Sequence, residues 1–483
     1  MKAIKPTRLL HGAGLSIAIL SGILGCWKCT PQDDDIIPPI TEVFPVEMWT
    51  TTPDQETLFE FKTLDFAAGK DDRFPVLVID TTVQYQSIDG FGYTLTGGSA
   101  MLINQLGEAQ KDSLLRELFG TEGKSIGVSY LRVSLGASDL SASVFSYDDL
   151  PAGQTDVTLS KFSLSQDTID LIPVLQKILA INPSLKIMAS PWSAPVWMKT
   201  NGSSIGGNLQ TQYYNVYAKY FVKYVQQMAA NGITIDAVTV QNEPQHGGNN
   251  PSLVMSATQQ GDFVKNHLGP EFQAAGLTTK IIIWDHNCDN PGYPMAILDD
   301  PAAKPFIDGS AFHLYGGDIG ALSTVHDAHP DKNLYFTEQW TGGNDSFEGD
   351  LKWHLKNVVI GSMRNWSRVA LEWNLASDPG FGPHTPGGCT LCKGALTIDG
   401  SAVSRNVSYY IIAHASRIAK PGSIRLGSSS PGLFPNVAFQ TPDGKKALLV
   451  LNESTVWESF NISCNGKWIV ASLAPGAVGS FFW

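Results

Sequence analysis

Apolar and polar positions along the chain alternate between two periods. Residues 213–228 are the clearest helix: apolar side chains at 213, 214, 217, 220, 221, 224, 225 and 228 recur with the 3.6-residue period. Asn231-Gly232 supplies a stop for it. Helical patterns are also predicted near 168–179, 262–275 and 351–363. Between them lie short apolar runs rich in β-branched and aromatic residues, which read as buried strands. They fall at 129–134, 185–190, 237–240, 280–284, 310–315, 334–337 and 369–374, and the segment opening at Ile88 makes eight. Eight strands alternating with helices predict an α/β fold, a (β/α)8 TIM barrel over residues 88–414, with its active site at the strand C-terminal ends.

The flanks have a different period. Residues 437–440, the turn Pro442-Asp-Gly444 and residues 447–452 read as a hairpin. Further strands are expected at 460–463, 468–471 and 479–483, and before the barrel at 74–80 and 82–86. These segments, 56–87 and 415–483, predict a side β-sandwich built from both ends of the chain. The start of the sequence reads as a targeting segment: Lys2, Lys5 and Arg8 precede an apolar core at 15–24, too short for a membrane span. Ile23-Leu-Gly-Cys26 resembles a bacterial lipoprotein processing box, with Cys26 as the lipidated residue, although Leu24 is not the usual small residue there. Residues 1–26 are then a signal peptide and 27–55, with Asp33-Asp-Asp35, a tether. The implied location is the cell envelope or surface through a lipid anchor, with a periplasmic or secreted protein as the alternative.

Composition narrows the function. The formal net charge of −12 argues against nucleic acid as a partner. Twelve Trp in a Gly-rich, acidic chain suit carbohydrate, because sugar faces stack on indoles, although most Trp simply pack. The glycines of Ile88-Asp-Gly-Phe-Gly-Tyr-Thr-Leu-Thr-Gly-Gly98 match no phosphate-loop spacing. Cys389-Thr-Leu-Cys392 has the spacing of half a zinc site, but no second close pair exists; a local disulfide and free thiols stay open, and no metal or cofactor is expected.

Chemistry concentrates at the strand ends. Arg132 to Asp139, Trp192, Asn242-Glu243, Asp285-His286, His313, Tyr315, Glu338 and Trp373-Asn374 all fall there. Glu243 ends one strand with Pro244 behind it, and Glu338 ends another with Trp340 beside it. One Glu at a strand end is most often a loop carboxylate or a cap. Two, each behind an apolar strand and flanked by amide or indole, suit glycoside cleavage, in which one acid protonates the leaving oxygen and one carboxylate attacks or activates water.

At these residues the chain resembles glycoside hydrolase family 30, the glucosylceramidase and β-1,6-glucanase family. The resemblance runs over residues 75–483 and rests on Ile88-Asp-Gly-Phe-Gly92, Leu131-Arg-Val133 with Asp139, Ala189-Ser-Pro-Trp192, Trp197-Met-Lys-Thr-Asn-Gly202, Gln241-Asn-Glu-Pro244, His313-Leu-Tyr315, Thr337-Glu338 and Trp373-Asn-Leu-Ala376. It implies a retaining mechanism with Glu243 as acid/base and Glu338 as nucleophile. It further implies Asn242 on the sugar 2-hydroxyl and Arg132 beside the nucleophile. Asp139 and Trp192 would hold the sugar, with His313, Tyr315 and Trp373 lining it; Trp340 is a further substrate-binding candidate from its position beside Glu338. Glu243 is expected to stand above the usual carboxylate pKa and Glu338 to be held ionised by Arg132. The stretch at 387–394 resembles the branch that cleaves β-1,6-glucan, so an endo-β-1,6-glucanase is expected. A glucosylceramidase or exo-acting β-glucosidase is the enzyme alternative, and a non-catalytic glycan-binding lipoprotein the alternative of another class.

Overall fold

The computed structural model describes residues 45–483. Residues 1–44, including the expected signal segment, Cys26 and most of the expected tether, lie outside the described residues. No described helix is long and apolar enough to cross a membrane.

The chain enters through β1 (Val46–Thr51), β2 (Glu60–Leu64) and β3 (Val76–Ser87). The barrel strands follow: β4 (Gly90–Leu95), β5 (Tyr130–Ser134), β6 (Lys186–Ser190), β7 (Ala237–Thr239), β8 (Lys280–Cys288), β9 (Ile307–Gly317) and β10 (Asn333–Glu338). After the two-residue β11 (Thr341–Gly342), β12 (Ser367–Asn374) closes the ring in the order β10-β12-β4-β5-β6-β7-β8-β9. Short strands β13 (Ala376–Ser377), β14 (Cys392–Lys393), β15 (Leu396–Asp399) and β16 (Ala402–Arg405) build the loop beyond it. Strands β17 (Ile424–Ser428), β18 (Asn436–Gln440), β19 (Lys446–Leu451), β20 (Glu458–Cys464), β21 (Lys467–Leu473) and β22 (Val478–Phe482) complete the side domain. Its sheet runs β2-β1-β22-β19-β18-β17-β3-β20-β21, and Ala67, just past β2, bridges Trp468 on β21. Val46, Leu77, Leu448, Phe460, Ile469 and Phe481 from strands across this sheet share one apolar core, as a sandwich requires.

Two boundaries shift from the sequence expectation. The tether expected through residue 55 gives way to strand at Val46, because β1 pairs with β22 and sends Val46 and Met48 into the sandwich core. The barrel expected to end at 414 keeps its last helix, Val407–Ser416, which is buried on every face against β4 and β22. A helix apolar all round shows no amphipathic stripe, which is why the periodicity missed it. Helices Gly97–Gln105, Glu108–Phe119, Gly292–Leu298 and Ala321–Ala328 were likewise not anticipated. The long helix is Tyr214–Ala230, and the one expected near 262–275 is Ala257–Phe263 and Gly269–Ala274 joined by a π turn.

The barrel interior is layered. Tyr130, Met188, Ala237, Ile282, Ala311, Tyr335, Val369 and Leu371 form an apolar plug. Side chains alternate along a strand, so two residues further on the same interior face is reached again. There the residues are polar and buried: Arg132, Ser190, Thr239, His313 and Thr337. On β8 the alternation breaks. Trp284 and Asp285 have φ of 70° and 64°, and the pairing with β9 slips between Trp284 and His286. This bulge sends Trp284 to the outer core and turns Asp285 inward.

Candidate active site

Glu243 stands just past β7, where the backbone turns sharply. Its φ is 44°, in the left-handed region, which costs about 1–3 kcal/mol for a non-glycine residue. The turn is held by Asn242 N–H donating to the Pro191 carbonyl at 2.8 Å and Glu243 N–H donating to the Asp285 carbonyl at 3.0 Å. Glu338 is the last residue of β10. One carboxylate oxygen of each Glu and a ring nitrogen of His313 all lie within 4.8 Å of one another.

Beneath the pair sits Asp285, wholly buried. Its Oδ2 accepts from Arg132 Nη2 (2.9 Å), Ser190 Oγ (2.7 Å) and Thr239 Oγ1 (2.8 Å). Its Oδ1 accepts from His313 Nε2 (3.1 Å) and Thr337 Oγ1 (2.6 Å). Each cation so anchored reaches one catalytic candidate: Arg132 Nη1 donates to Glu338 Oε2 at 2.5 Å, and His313 Nδ1 bonds Glu243 Oε1 at 3.1 Å. Arg132 Nη2 also donates to Asn242 Oδ1 at 2.6 Å, and Tyr315 Oη donates to Glu338 Oε1 at 2.9 Å. The sequence placed Asp285 at a strand end but assigned it no role, because only the β8 bulge aims it inward.

The charges follow from these contacts. Burial favours the neutral form of His313, but the Glu338 charge and the bonds to Asp285 and Glu243 outweigh it and lift its pKa to about 9. His313 is therefore an imidazolium at neutral pH and donates from both nitrogens. Burial pushes Glu243 up, yet the His313 hydrogen bond and charge, helped by His286 and His246, bring it net below the usual value. Burial also pushes Glu338 up; His313 and Arg132 oppose this, Glu243 and Asp285 repel, and it stands net above the usual value. The pair is thus ordered opposite to the expectation of a raised Glu243 and a lowered Glu338. The imidazolium serves Glu243 directly, while Glu338 is flanked by two other carboxylates.

Above this layer opens a cleft of about 290 Å³ walled by Asp139, Trp192, Glu243, Tyr315, Glu338, Trp340 and Trp373, with His246, Asn249, His286, Asn287 and the disulfide Cys389–Cys392 completing it. Trp192 and Trp373 stack at 5.3 Å, and the Arg132 guanidinium lies 4.7 Å from the Trp192 ring centre. Of the ten sequence-predicted site residues, seven line the cleft, while Arg132, Asn242 and His313 form the floor beneath it. His313 was expected on the wall; at 0% exposed it instead supports the two Glu from below. His246 and Asn249 were not anticipated, since they lie in a loop without strand-end patterning; Asn287 was not because β8, expected to end at residue 284, runs on to Cys288. The two cysteines prove to be a local disulfide, whereas Cys288 and Cys464 are buried free thiols.

Glu243, His313 and Glu338 are the described residues that could hold a metal ion. Both His313 nitrogens, however, are committed as donors to Glu243 and Asp285, which suits a cation bridging carboxylates better than a neutral imidazole ligand. A larger cavity, about 800 Å³, lies against Trp49, Phe61, Arg405 and Tyr409. Its buried-side carboxylate Glu117 is already paired with Arg405 and Tyr409, and it lacks an arrangement like the Glu pair.

The glycosyl hydrolase family 30 TIM-barrel domain matches residues 88–418, and the family 30 β-sandwich domain matches residues 422–481. An endo-1,6-beta-D-glucanase of Neurospora crassa is 35% identical over 399 residues, 78% of this chain and 81% of that protein. Another from Aspergillus fumigatus is 31% identical over 430 residues, 83% of this chain and 86% of that protein. Among solved structures, the endo-beta1,6-glucanase BT3312 superimposes with a TM-score of 0.86 at 34% identity, covering 91% of this chain and 99% of that one.

Proposed function

The chain belongs to glycosyl hydrolase family 30, and on that premise we propose that it is a retaining endo-β-1,6-glucanase with Glu338 as nucleophile and Glu243 as acid/base. The observation that carries this is the approach of the two carboxylates, with oxygens within 4.8 Å, at the barrel mouth. Retaining enzymes hold their carboxyl groups about 5–5.5 Å apart, and inverting enzymes leave a gap of roughly 6.5–9.5 Å for water. The names of the relatives from Neurospora crassa and Aspergillus fumigatus and of BT3312 support β-1,6-glucan as the substrate.

In the first step Glu338 attacks the anomeric carbon while Glu243 gives its proton to the glycosidic oxygen, which leaves as the hydroxyl of the departing chain. A glucosyl–Glu338 ester remains. Glu243, now ionised, takes a proton from water as that water attacks the same carbon and releases Glu338. The resting order of the pair must be reversed for the first step. Sugar entry displaces water and favours neutral Glu243, and His313 Nδ1, at 3.1 Å, is placed to hand it a proton. The positive charge developing on the ring favours ionised Glu338, which Arg132 and Tyr315 already hold by hydrogen bonds. Asn242 Oδ1 is occupied by Arg132, so its Nδ2 is the atom left to meet the 2-hydroxyl.

The test is turnover of β-1,6-glucan by the wild type and Glu338→Gln. Wild type is expected to release oligosaccharides, and the variant to lose at least about a thousandfold in rate. Unimpaired turnover by Glu338→Gln refutes the nucleophile assignment, and glucose as the sole early product refutes endo action in favour of the exo-glucosidase alternative. We also propose export and lipid attachment at Cys26, supported by the basic start and the apolar run at 15–24. Absence of fatty-acid label on wild type expressed in a lipoprotein-processing host overturns that.

A further inference from the structure

Asp139 is a cleft carboxylate whose side chain is bonded by neither cation of the floor, Arg132 or His313. It is 5% exposed, and burial together with the Glu338 charge lifts its pKa to about 7, opposed by a hydrogen bond from the Cys389 N–H. That bond, Cys389 N–H to Oδ2 at 3.3 Å, is the only one its carboxylate receives from another residue among those described. The backbone of Asp139 is held by the same segment: its carbonyl accepts from Thr385 N–H at 2.8 Å, and Gly388 passes so close that a Cβ there would lie 2.4 Å from the Asp139 oxygen.

The other half of the disulfide is tied elsewhere. Cys392 lies in β14, which pairs with β11 in the register Thr341↔Lys393 and Gly342↔Cys392, and Gly343 N–H donates to the Leu391 carbonyl at 2.8 Å. β11 directly follows Glu338-Gln-Trp340. Cys392, Trp192, Trp373 and Leu140 form one small apolar cluster, with Trp340 and Cys389 packed on it. The four-residue loop thus spans the cleft mouth from Asp139 to the segment after the nucleophile, and the covalent bond is the shortest link between those two anchorages.

We infer that the Cys389–Cys392 loop is a specificity-determining clamp, which aims the Asp139 carboxylate at the hydroxyls of the sugar held over Trp192 and Trp373. A carboxylate accepting from a sugar hydroxyl makes a charge-assisted bond, strong and geometrically demanding. It discriminates among sugars only if its direction is fixed, and the clamp supplies that fixing with a backbone N–H rather than a mobile side chain. The inference rests on the glucan-hydrolase reading, and its test separates the two.

The experiment is a double-mutant cycle on β-1,6-linked gluco-oligosaccharides, using wild type, Asp139→Ala, Cys389→Ser/Cys392→Ser and the combined variant. Removing the disulfide alone is expected to lower kcat/KM about tenfold, chiefly through KM. In the Asp139→Ala background the same removal is expected to change kcat/KM less than about twofold, because the aimed group is gone. Additive losses, or loss of the cleft through misfolding with equal effects in both backgrounds, overturn the clamp. Wild type treated with a dithiol, with cysteine alkylation confirming opening of this bond, repeats the first arm without a substitution; unchanged KM in the opened protein overturns the clamp as well. If wild type itself turns over no β-1,6-gluco-oligosaccharide, it is the functional reading that fails.

Discussion

Replacing Asp285 by Asn tests the floor of the site most directly. The substitution keeps the shape and removes one buried negative charge. An amide has one acceptor oxygen, whereas Asp285 accepts on both sides: three donors on Oδ2 and two on Oδ1. The orientation of least cost keeps the oxygen on Arg132, Ser190 and Thr239 and turns the NH2 toward His313 and Thr337. His313 can then accept at Nε2 only by giving up its proton there, so the imidazolium becomes a neutral ring donating from Nδ1 to Glu243. Thr337 must rotate its hydroxyl away. Removing one member of a buried charge pair costs about 3–5 kcal/mol, and because the amide retains most of the bonds, a loss near the lower end is expected in urea unfolding. The His313 pKa, lifted to about 9 in the wild type, is expected to fall by at least two pH units, read from its imidazole NMR shifts. Loss of this anchor lets the proposed catalytic carboxylates, Glu243 and Glu338, drift, and kcat on β-1,6-gluco-oligosaccharides is expected to fall roughly a hundredfold. Activity within threefold of wild type together with an unmoved His313 titration would refute the claim that one carboxylate positions both cations.

Three further outcomes are expected. A histidine whose folded pKa stands above its unfolded value adds stability that is full below pH 6.5 and is lost as pH rises through about 9; thermal unfolding midpoints of the wild type should therefore fall across that window by the equivalent of roughly 3 kcal/mol, and His313→Gln should flatten the slope. Asp139 is the opposite case: its pKa, lifted to about 7, makes its ionised form a cost that develops as pH rises from the ordinary carboxylate value through 7. Asp139→Asn should thus raise stability at pH 8 by up to roughly 3–4 kcal/mol while cutting kcat/KM at least about tenfold; a destabilised variant contradicts the burial argument. Deleting residues 46–51 removes Val46, Met48 and Trp49 from the core and strips β22 of a partner, a loss of roughly 5–9 kcal/mol at about 1.5–3 kcal/mol per buried side chain; a deletion variant that still unfolds cooperatively at the wild-type temperature would show that β1 is dispensable.

Local pattern by itself determined the barrel, the two-ended sandwich and which strand end carries each barrel candidate. Strand and helix periods are properties of neighbouring residues, and the rule that chemistry sits at the C-terminal ends of barrel strands converts position along the chain into position in space. Glu243, Glu338, Arg132 and Trp373 follow from that rule alone. Only the tertiary structure decided the rest, because it depends on groups far apart in sequence meeting through space. The strand at Val46 exists because β22, some 430 residues later, offers it an edge and a core. Asp285 faces inward because a bulge breaks the alternation that the sequence would otherwise obey. Glu243 stands below and Glu338 above the usual carboxylate value because Glu243 receives the His313 hydrogen bond, at 3.1 Å, while Glu338 is repelled by Glu243 and Asp285, contacts that no spacing along the chain encodes. Periodicity reports where a side chain is carried; electrostatics reports what surrounds it on arrival, and that second quantity is a sum over the whole fold.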